Sequence, residues 1–328
     1  MIEREGAVQR GTMLTLVTGA AGNLGSLLTE YLLKNTRLRL NLLIHKKNVP
    51  AGIRGSDRVT IFRGDLGQKA TLKEPLRGVD VVVHFAGILF KNDPEKFLPV
   101  TNVSYFKNLC DTAMEQGVRR MILISFPHVE GETTKDKPAV GRLDGIPDSV
   151  HARTRLEEER YLFGFQGIDG FEPVSLRVGM VYGKGILMVD AARWLAERRL
   201  LGVWRKPTWI HLISKDDFLE ATRAAVESEG IKGIYHAGDD GYQTLQEFLD
   251  QAATVWGCRK PWRMPESLIY LAASICELQS RFLGTRSPLT RDFVKIGMQS
   301  YYGDTSGMKR ALLPCLKYPT LREGKEAL

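Results

Sequence analysis

Met13-Leu14-Thr15-Leu16-Val17-Thr18 runs straight into Gly19-Ala20-Ala21-Gly22-Asn23-Leu24-Gly25, and this join decides the fold. The first six residues are a short apolar and β-branched run that reads as a buried strand. From Leu24 onward the apolar residues fall at helical spacing, at Leu27, Leu28, Tyr31 and Leu32. Three glycines lie between strand and helix. Gly19 permits a tight turn, Gly22 lets backbone approach a pyrophosphate, and Gly25 lets the helix lie close on the strand. Glycine spacing is evidence only in this strand–turn–helix context, which is present. The amides opening the helix then face the phosphates. Thr18, Gly19, Gly22, Asn23, Leu24 and Gly25 are therefore expected to hold a dinucleotide.

Outward from the loop, strand and helix patterns alternate. Strands are expected at 39–44, 59–62, 79–85, 120–125 and 174–181, with helices at 24–33, 103–116 and 151–163. Alternation of this kind gives right-handed crossovers and a parallel sheet covered on both faces, and the near-continuous apolar strands fit that burial. The expected fold class is α/β, a doubly wound Rossmann sheet with a smaller C-terminal substrate domain. Residues 13–183 with about 212–240 form the nucleotide half. Residues 184–211 and 241–328 form the substrate half, and 233–236 returns to the sheet edge. All five tryptophans follow Gly183, which suggests an aromatic core there.

The chain has 328 residues, 43% hydrophobic and 26% charged. A chain of this size buries roughly three quarters of its surface on folding, and the composition excludes a disordered or collagen-like class. No apolar run approaches the ~18 residues that span a bilayer; the run at 268–276 is interrupted by Ser274 and stops at Glu277. Residues 1–12 are polar, read as a flexible extension, and lack a signal-peptide core. A cytoplasmic protein without membrane insertion is expected. The four cysteines form neither a disulfide framework nor a zinc set, and no metal is assigned. The net charge of +8 is spread in pairs rather than runs. It gives no nucleic-acid footprint, so the expected partner is a small-molecule substrate. A homodimer is the assembly favoured by base rate.

The second expected strand ends in His45-Lys46-Lys47. An acid at this distance from the glycine loop would bind the ribose hydroxyls of NAD. Here the side chains are basic and would attract a 2′-phosphate, so NADP(H) is expected in preference to NAD(H).

These features resemble the extended short-chain dehydrogenase/reductase superfamily, which includes nucleotide-sugar epimerases and dehydratases and the dihydroflavonol-reductase and 3β-hydroxysteroid-dehydrogenase branches. The resemblance runs from about Met13 to Gly324. Beyond the glycine loop it rests on Asp65-Leu66, the family's adenine-contacting pair, and on His84-Phe85-Ala86-Gly87, its fourth-strand signature. Asn102 matches its structural asparagine. Arg177-Val178-Gly179-Met180 is similar to the stretch beneath the nicotinamide, with Val178 in place of proline. Residues 209–217 look like the return from the substrate domain, and Pro288-Leu289-Thr290 with Gly303-Asp304-Thr305 look most like the reductase branch. The resemblance thus adds Asp65, Leu66, Phe85, Ala86, Gly87, Val178 and Met180 to the expected cofactor contacts.

Family chemistry uses a tyrosine and a lysine four residues apart on a helix, and a serine or threonine from the fifth strand. Here His151 stands at the tyrosine position and Arg155 at the lysine position, while Phe126 aligns with the serine and Ser125 precedes it. The i,i+4 spacing puts His151 and Arg155 on one helix face. A histidine can exchange protons near neutrality; an arginine cannot. The resulting expectation is hydride transfer at a carbonyl or secondary alcohol, with His151 as acid or base, Arg155 as a fixed cation and Ser125 donating to the substrate oxygen. A catalytically impaired NADP(H) sensor or scaffold and a nucleotide-sugar epimerase or dehydratase are the alternatives. His128 is a second acid/base candidate. Asp216-Asp217 reads as the cap of the following helix rather than as a metal pair.

Overall fold

The computed structural model describes residues 12–87, 93–283 and 289–328. Most of the expected N-terminal extension, and Pro288 of the reductase-like stretch, lie outside these residues.

Seven parallel strands form the central sheet. Leu14–Thr18 (β1), Arg39–Ile44 (β2), Val59–Arg63 (β3), Val81–His84 (β4), Arg120–Ser125 (β5) and Glu172–Val178 (β6) are joined at the edge by Gly233–Ala237. The spatial order is Gly233–Ala237, β6, β5, β4, β1, β2, β3. The chain therefore reverses direction between β1 and β4, and the C-terminal ends of the strands open a crevice at such a switch point. β2 and β5 have the limits expected from sequence, because both are apolar runs between polar or glycine-bearing breakers.

Helices bury both faces. Val17, Leu42, Val83, Ile122 and Leu176 look to one side and pack against Leu28, Leu32 and Phe218. Leu16, Leu43, Val82, Met121 and Leu123 look to the other and meet Phe106 and Leu109. Successive strand residues thus feed opposite cores, as the two-residue strand period requires. A third cluster, with Tyr182, Ile186, Val203, Trp204, Phe248 and Ile269, lies in the C-terminal half.

Three expected elements differ. The 174–181 strand ends at Val178, and Met180–Tyr182 pairs instead with Leu212–Ser214. The break falls at Gly179, where any Cβ would collide with the carbonyl oxygen of His211. The 209–217 return segment is not one strand: it divides at the buried His211, with Trp209–Ile210 pairing with Gln243–Thr244 and Leu212–Ser214 with Met180–Tyr182. The 103–116 helix is Tyr105–Glu115, entered through a π-helical turn Pro99–Ser104 that carries Asn102. The aromatic-core expectation holds for Trp204, whose indole nitrogen donates to Thr208 Oγ1 at 2.7 Å. It fails for Trp194 and Trp262, which are exposed. Ser214, not Asp216 or Asp217, caps the helix Lys215–Glu227. The two acids tie down the C-terminal segment, Asp216 through Lys317 Nζ and Asp217 through the amides of Lys317 and Tyr318. All four cysteines are unpaired.

Candidate active site

β1 ends at Thr18, whose hydroxyl lies 2.8 Å from His84 Nδ1 on β4. Gly19 then turns with φ +70°, a conformation that favours glycine, and a Cβ there would press on the Ala86 backbone at 2.9 Å. A Cβ on Gly25 would collide with the Gly19 carbonyl. The helix Asn23–Asn35 (α1) begins at Gly22 with no side-chain cap, so its first amides are open to a ligand. The loop fits a pyrophosphate on these grounds. The Asn23 backbone amide is the first of these amides, while its side chain is engaged elsewhere: the side-chain amide donates to the Gly185 carbonyl at 2.7 Å and its oxygen accepts from the Leu187 amide at 2.9 Å. Asn23 thereby clips the loop to the start of the helix Leu187–Glu197. Leu24 packs against the hydrophobic clusters.

At the end of β2, His45, Lys46 and Lys47 are exposed. Register places Arg63 of β3 beside Ile44, and its exposed guanidinium bonds the His45 carbonyl at 3.3 Å and the Asn48 side chain. Arg63 thus joins Lys46 and Lys47 as a cation at this corner. It was missed in the sequence, although its place at the end of the neighbouring strand was a usable signal. Among the described residues the acid paired with this group is Asp65, with Oδ2 4.0 Å from His45 Nε2. The Leu66 carbonyl accepts from Asn108 at 2.9 Å, which fixes the Asp65-Leu66 turn.

Phe85, Ala86 and Gly87 follow β4, and Phe85 stands edge-on to Phe218. Gly87 leaves the room that the Arg155 guanidinium fills, since a Cβ there would collide with it. Arg155 is buried and pairs with Glu158 at 2.5 Å, reaching the Ala86 carbonyl at 3.5 Å. Glu158 is wholly buried, and burial pushes its carboxyl up to about 7 against the opposing pull of Arg155. Val178 is buried and Met180 half-buried at the opposite wall.

The helix Val150–Phe163 opens on Ser149, which accepts from the Ala152 amide. His151 sits in its first turn, 5% exposed, with its ring edge-on to Phe126 at 4.9 Å. Its ring has no hydrogen-bond partner among the described residues. Burial, then Arg155, then His128, lowers its pKa to about 3, so the imidazole is neutral. His128 is tied through Nε2 to the Gln299 carbonyl at 3.1 Å, and burial lowers its pKa to about 4. Phe126 lies between the two imidazoles, 5.1 Å from His128.

Ser125 is held from below. Its hydroxyl donates to Glu159 Oε1 at 2.5 Å, and a carboxylate can only accept. Its proton is thus committed to Glu159 here, whereas the sequence leads one to expect donation to a substrate oxygen. Glu159 also accepts from Ser175 at 2.8 Å and from Arg177 Nη2 at 2.6 Å. Arg177 in turn holds Glu130, whose carboxylate accepts from the amides of Gly141 at 2.7 Å and Arg142 at 3.0 Å. This buried chain pins the 131–142 loop, and Ala139 bridges to Gly303.

The chain matches the model of the NAD dependent epimerase/dehydratase family over residues 15–198. It is 28% identical over 181 residues to a uronate dehydrogenase of Pseudomonas putida, covering 55% of this chain and 66% of that protein. It is 28% identical over 177 residues to a UDP-glucose 4-epimerase of Vibrio cholerae, covering 52% of each. The match spans between about half and two thirds of these relatives. Among solved structures, UDP-glucuronic acid 4-epimerase from Bacillus cereus, in complex with UDP-glucuronic acid and NAD, superposes with a TM-score of 0.73 at 20% identity over 96% of this chain and 97% of that one. The glycine loop, the seven-stranded parallel sheet and the family match lead to one assignment: the chain belongs to the NAD dependent epimerase/dehydratase family.

Proposed function

We propose that this protein is a nicotinamide-dinucleotide oxidoreductase that prefers NADP(H) and acts at a carbonyl or secondary alcohol with a neutral histidine in place of the family's tyrosine. The observation that carries the reading is the buried His151 ring, without a hydrogen-bond partner among the described residues and edge-on to Phe126 just past the end of β5, in a chain whose glycine loop is intact. The dinucleotide would supply the hydride acceptor or donor. Gly19, Gly22 and the first α1 amides would hold its phosphates; His45, Lys46, Lys47 and Arg63 would meet a 2′-phosphate. Asp65 and Leu66 would border the adenine, and Val178 and Met180 the nicotinamide.

A neutral imidazole with a lowered pKa holds no spare proton to give up. It either accepts a proton from a substrate hydroxyl or donates its one N–H to polarise a carbonyl. Ser125, with its proton committed to Glu159, accepts from the same hydroxyl. Arg155 supplies fixed positive charge, which adds to burial in keeping His151 neutral. The residues 184–211 and 241–328 would form the substrate half, and uronates and nucleotide sugars, named for the relatives, are the first substrate classes to try.

Two outcomes are expected. NADPH binds at least about tenfold more tightly than NADH, a difference of about 1.4 kcal/mol, and Lys46→Glu with Lys47→Glu removes the preference. Fluorescence titration measures both, and equal affinities in the unaltered protein would refute the preference. His151→Ala lowers kcat by about 10²–10⁴, the usual worth of a general acid or base, with cofactor affinity unchanged. Following NADPH absorbance across the substrate panel measures it.

A second reading has its own support, because Arg155 is satisfied by Glu158 and Ser125 by Glu159. The chain would then bind the dinucleotide without turnover. Cofactor-dependent thermal stabilisation, with no reduction of NADP⁺, no oxidation of NADPH and no conversion of any member of the panel, would favour it.

A further inference from the structure

We infer that the outward face of the helix Glu266–Leu283 docks on an anionic lipid surface, lying in the headgroup plane rather than crossing the bilayer. The helix has 18 residues and is about 27 Å long. Ile269 and Ala273 point into the C-terminal core. The other side is also apolar. Leu268, Leu271, Ile275, Leu278 and Phe282 are 50%, 55%, 56%, 55% and 83% exposed. They follow one another at steps of three and four, so they form a single stripe. Together they present on the order of 500 Å² of apolar surface, the scale at which a patch marks an interaction site.

Charge selects the occupant. The strand Trp262–Met264 leads into the helix, and Trp262 is 66% exposed while its indole N–H donates to the Arg199 carbonyl at 3.1 Å. Arg199, Arg259 and Lys260 line the same shallow cavity as Trp262, about 100 Å³ in volume and without a carboxylate in its wall. Among the described residues, the Arg199 and Arg259 side chains have no ion-pair or hydrogen-bond partner. Asp250 is shared between Lys260 and Arg263. An exposed apolar stripe preceded along the chain, six residues before Leu268, by an exposed tryptophan that sits among unpaired cations pairs the two features that hold a helix at a lipid interface, bare apolar area and basic charge, and such cations are drawn to anionic headgroups.

A second copy of the chain fits less well. Helices that pair along a three–four stripe set their register with charges beside the seam. Here the flanks are Ser267, Ala272, Ser274 and Gln279, and two chains of charge +8 repel. A lipid surface needs no register. No helix among the described residues is long and apolar enough to cross a membrane, which agrees with lying on it.

The test is co-sedimentation of the full chain with vesicles of phosphatidylglycerol and phosphatidylcholine, against phosphatidylcholine alone. The protein is expected to bind the anionic vesicles, and raised salt to weaken the binding. Leu271→Ser with Ile275→Ser lowers the bound fraction at least about tenfold, and so does Arg199→Glu with Arg259→Glu. These side chains are exposed, so an unchanged thermal transition shows that the variants fold. Equal binding by the serine variant, or no binding by the unaltered protein to either vesicle, overturns the proposal. So does a dimer that forms through this stripe, disperses in Ile275→Ser and ignores vesicles.

Discussion

Arg177→Met is expected to destabilise the protein by about 3–5 kcal/mol, the usual cost of removing one partner from a buried ion pair. The reason lies in what remains. Arg177 is fully buried and is shared by Glu159, Glu130 and the Arg142 carbonyl. Methionine fills much of the volume but leaves two buried carboxylates facing an apolar side chain. Glu130 retains the amides of the 140–142 turn; Glu159 retains only Ser125 and Ser175. Urea denaturation measures the change, and a loss of about 4–7 °C in Tm should accompany it. Adding Glu159→Gln should recover part of the loss, because the remaining group is then uncharged. A change below about 1 kcal/mol would mean that water reaches this chain of charges.

Acidification is expected to unfold the protein well before its exposed carboxylates are all protonated. His84, His151 and His236 are lowered to about 3, and His128 and His211 to about 4, in each case first by burial. Four of the five are buried, and His128 is half-buried with Nδ1 enclosed. On unfolding each takes up a proton once the pH is below about 6.5. Their contribution to stability is therefore complete above that pH and is lost as the pH falls toward the folded values. Glu158 and Asp239, both raised to about 7 by burial, act in the opposite sense. They hold protons in the folded state that the unfolded chain releases, and so offset two of the five. About three net protons remain near pH 5.5, a slope of about 3–4 kcal/mol per pH unit. The loss reaches about 5 kcal/mol between pH 7 and pH 5, so against a total stability of about 5–15 kcal/mol acid unfolding falls at or below about pH 5. Urea midpoints at pH 7 and pH 5.5 test it; equal midpoints would show that the histidines are solvated in the folded state.

The cofactor corner was open to reading because its requirements are local. A strand, a positive-φ glycine and a close-packed helix follow one another within a dozen residues, and each leaves its own mark. That His151 and Arg155 stand one turn apart on the helix was also readable, from helical spacing alone. What holds them was not. Glu157, Glu158 and Glu159 are alike in the chain and suggest a solvated face. Only Glu157 is exposed; Glu158 turns to Arg155, and Glu159 turns to Ser125 and Arg177.

The helix Glu266–Leu283 shows the same division. Its apolar residues predict a helix whichever side is covered, and nothing local separates Ile269 from Leu268. Local order, from the glycine turn through the apolar strand runs to the helix phase, follows from neighbours along the chain and is encoded there. Burial of a charge, the direction of the Ser125 proton and the choice of which apolar face stays bare depend on atoms more than a hundred residues away in some cases, as between Arg120 and the Ala225 carbonyl. Those contacts exist only after the sheet has closed, and so the tertiary structure alone decided them.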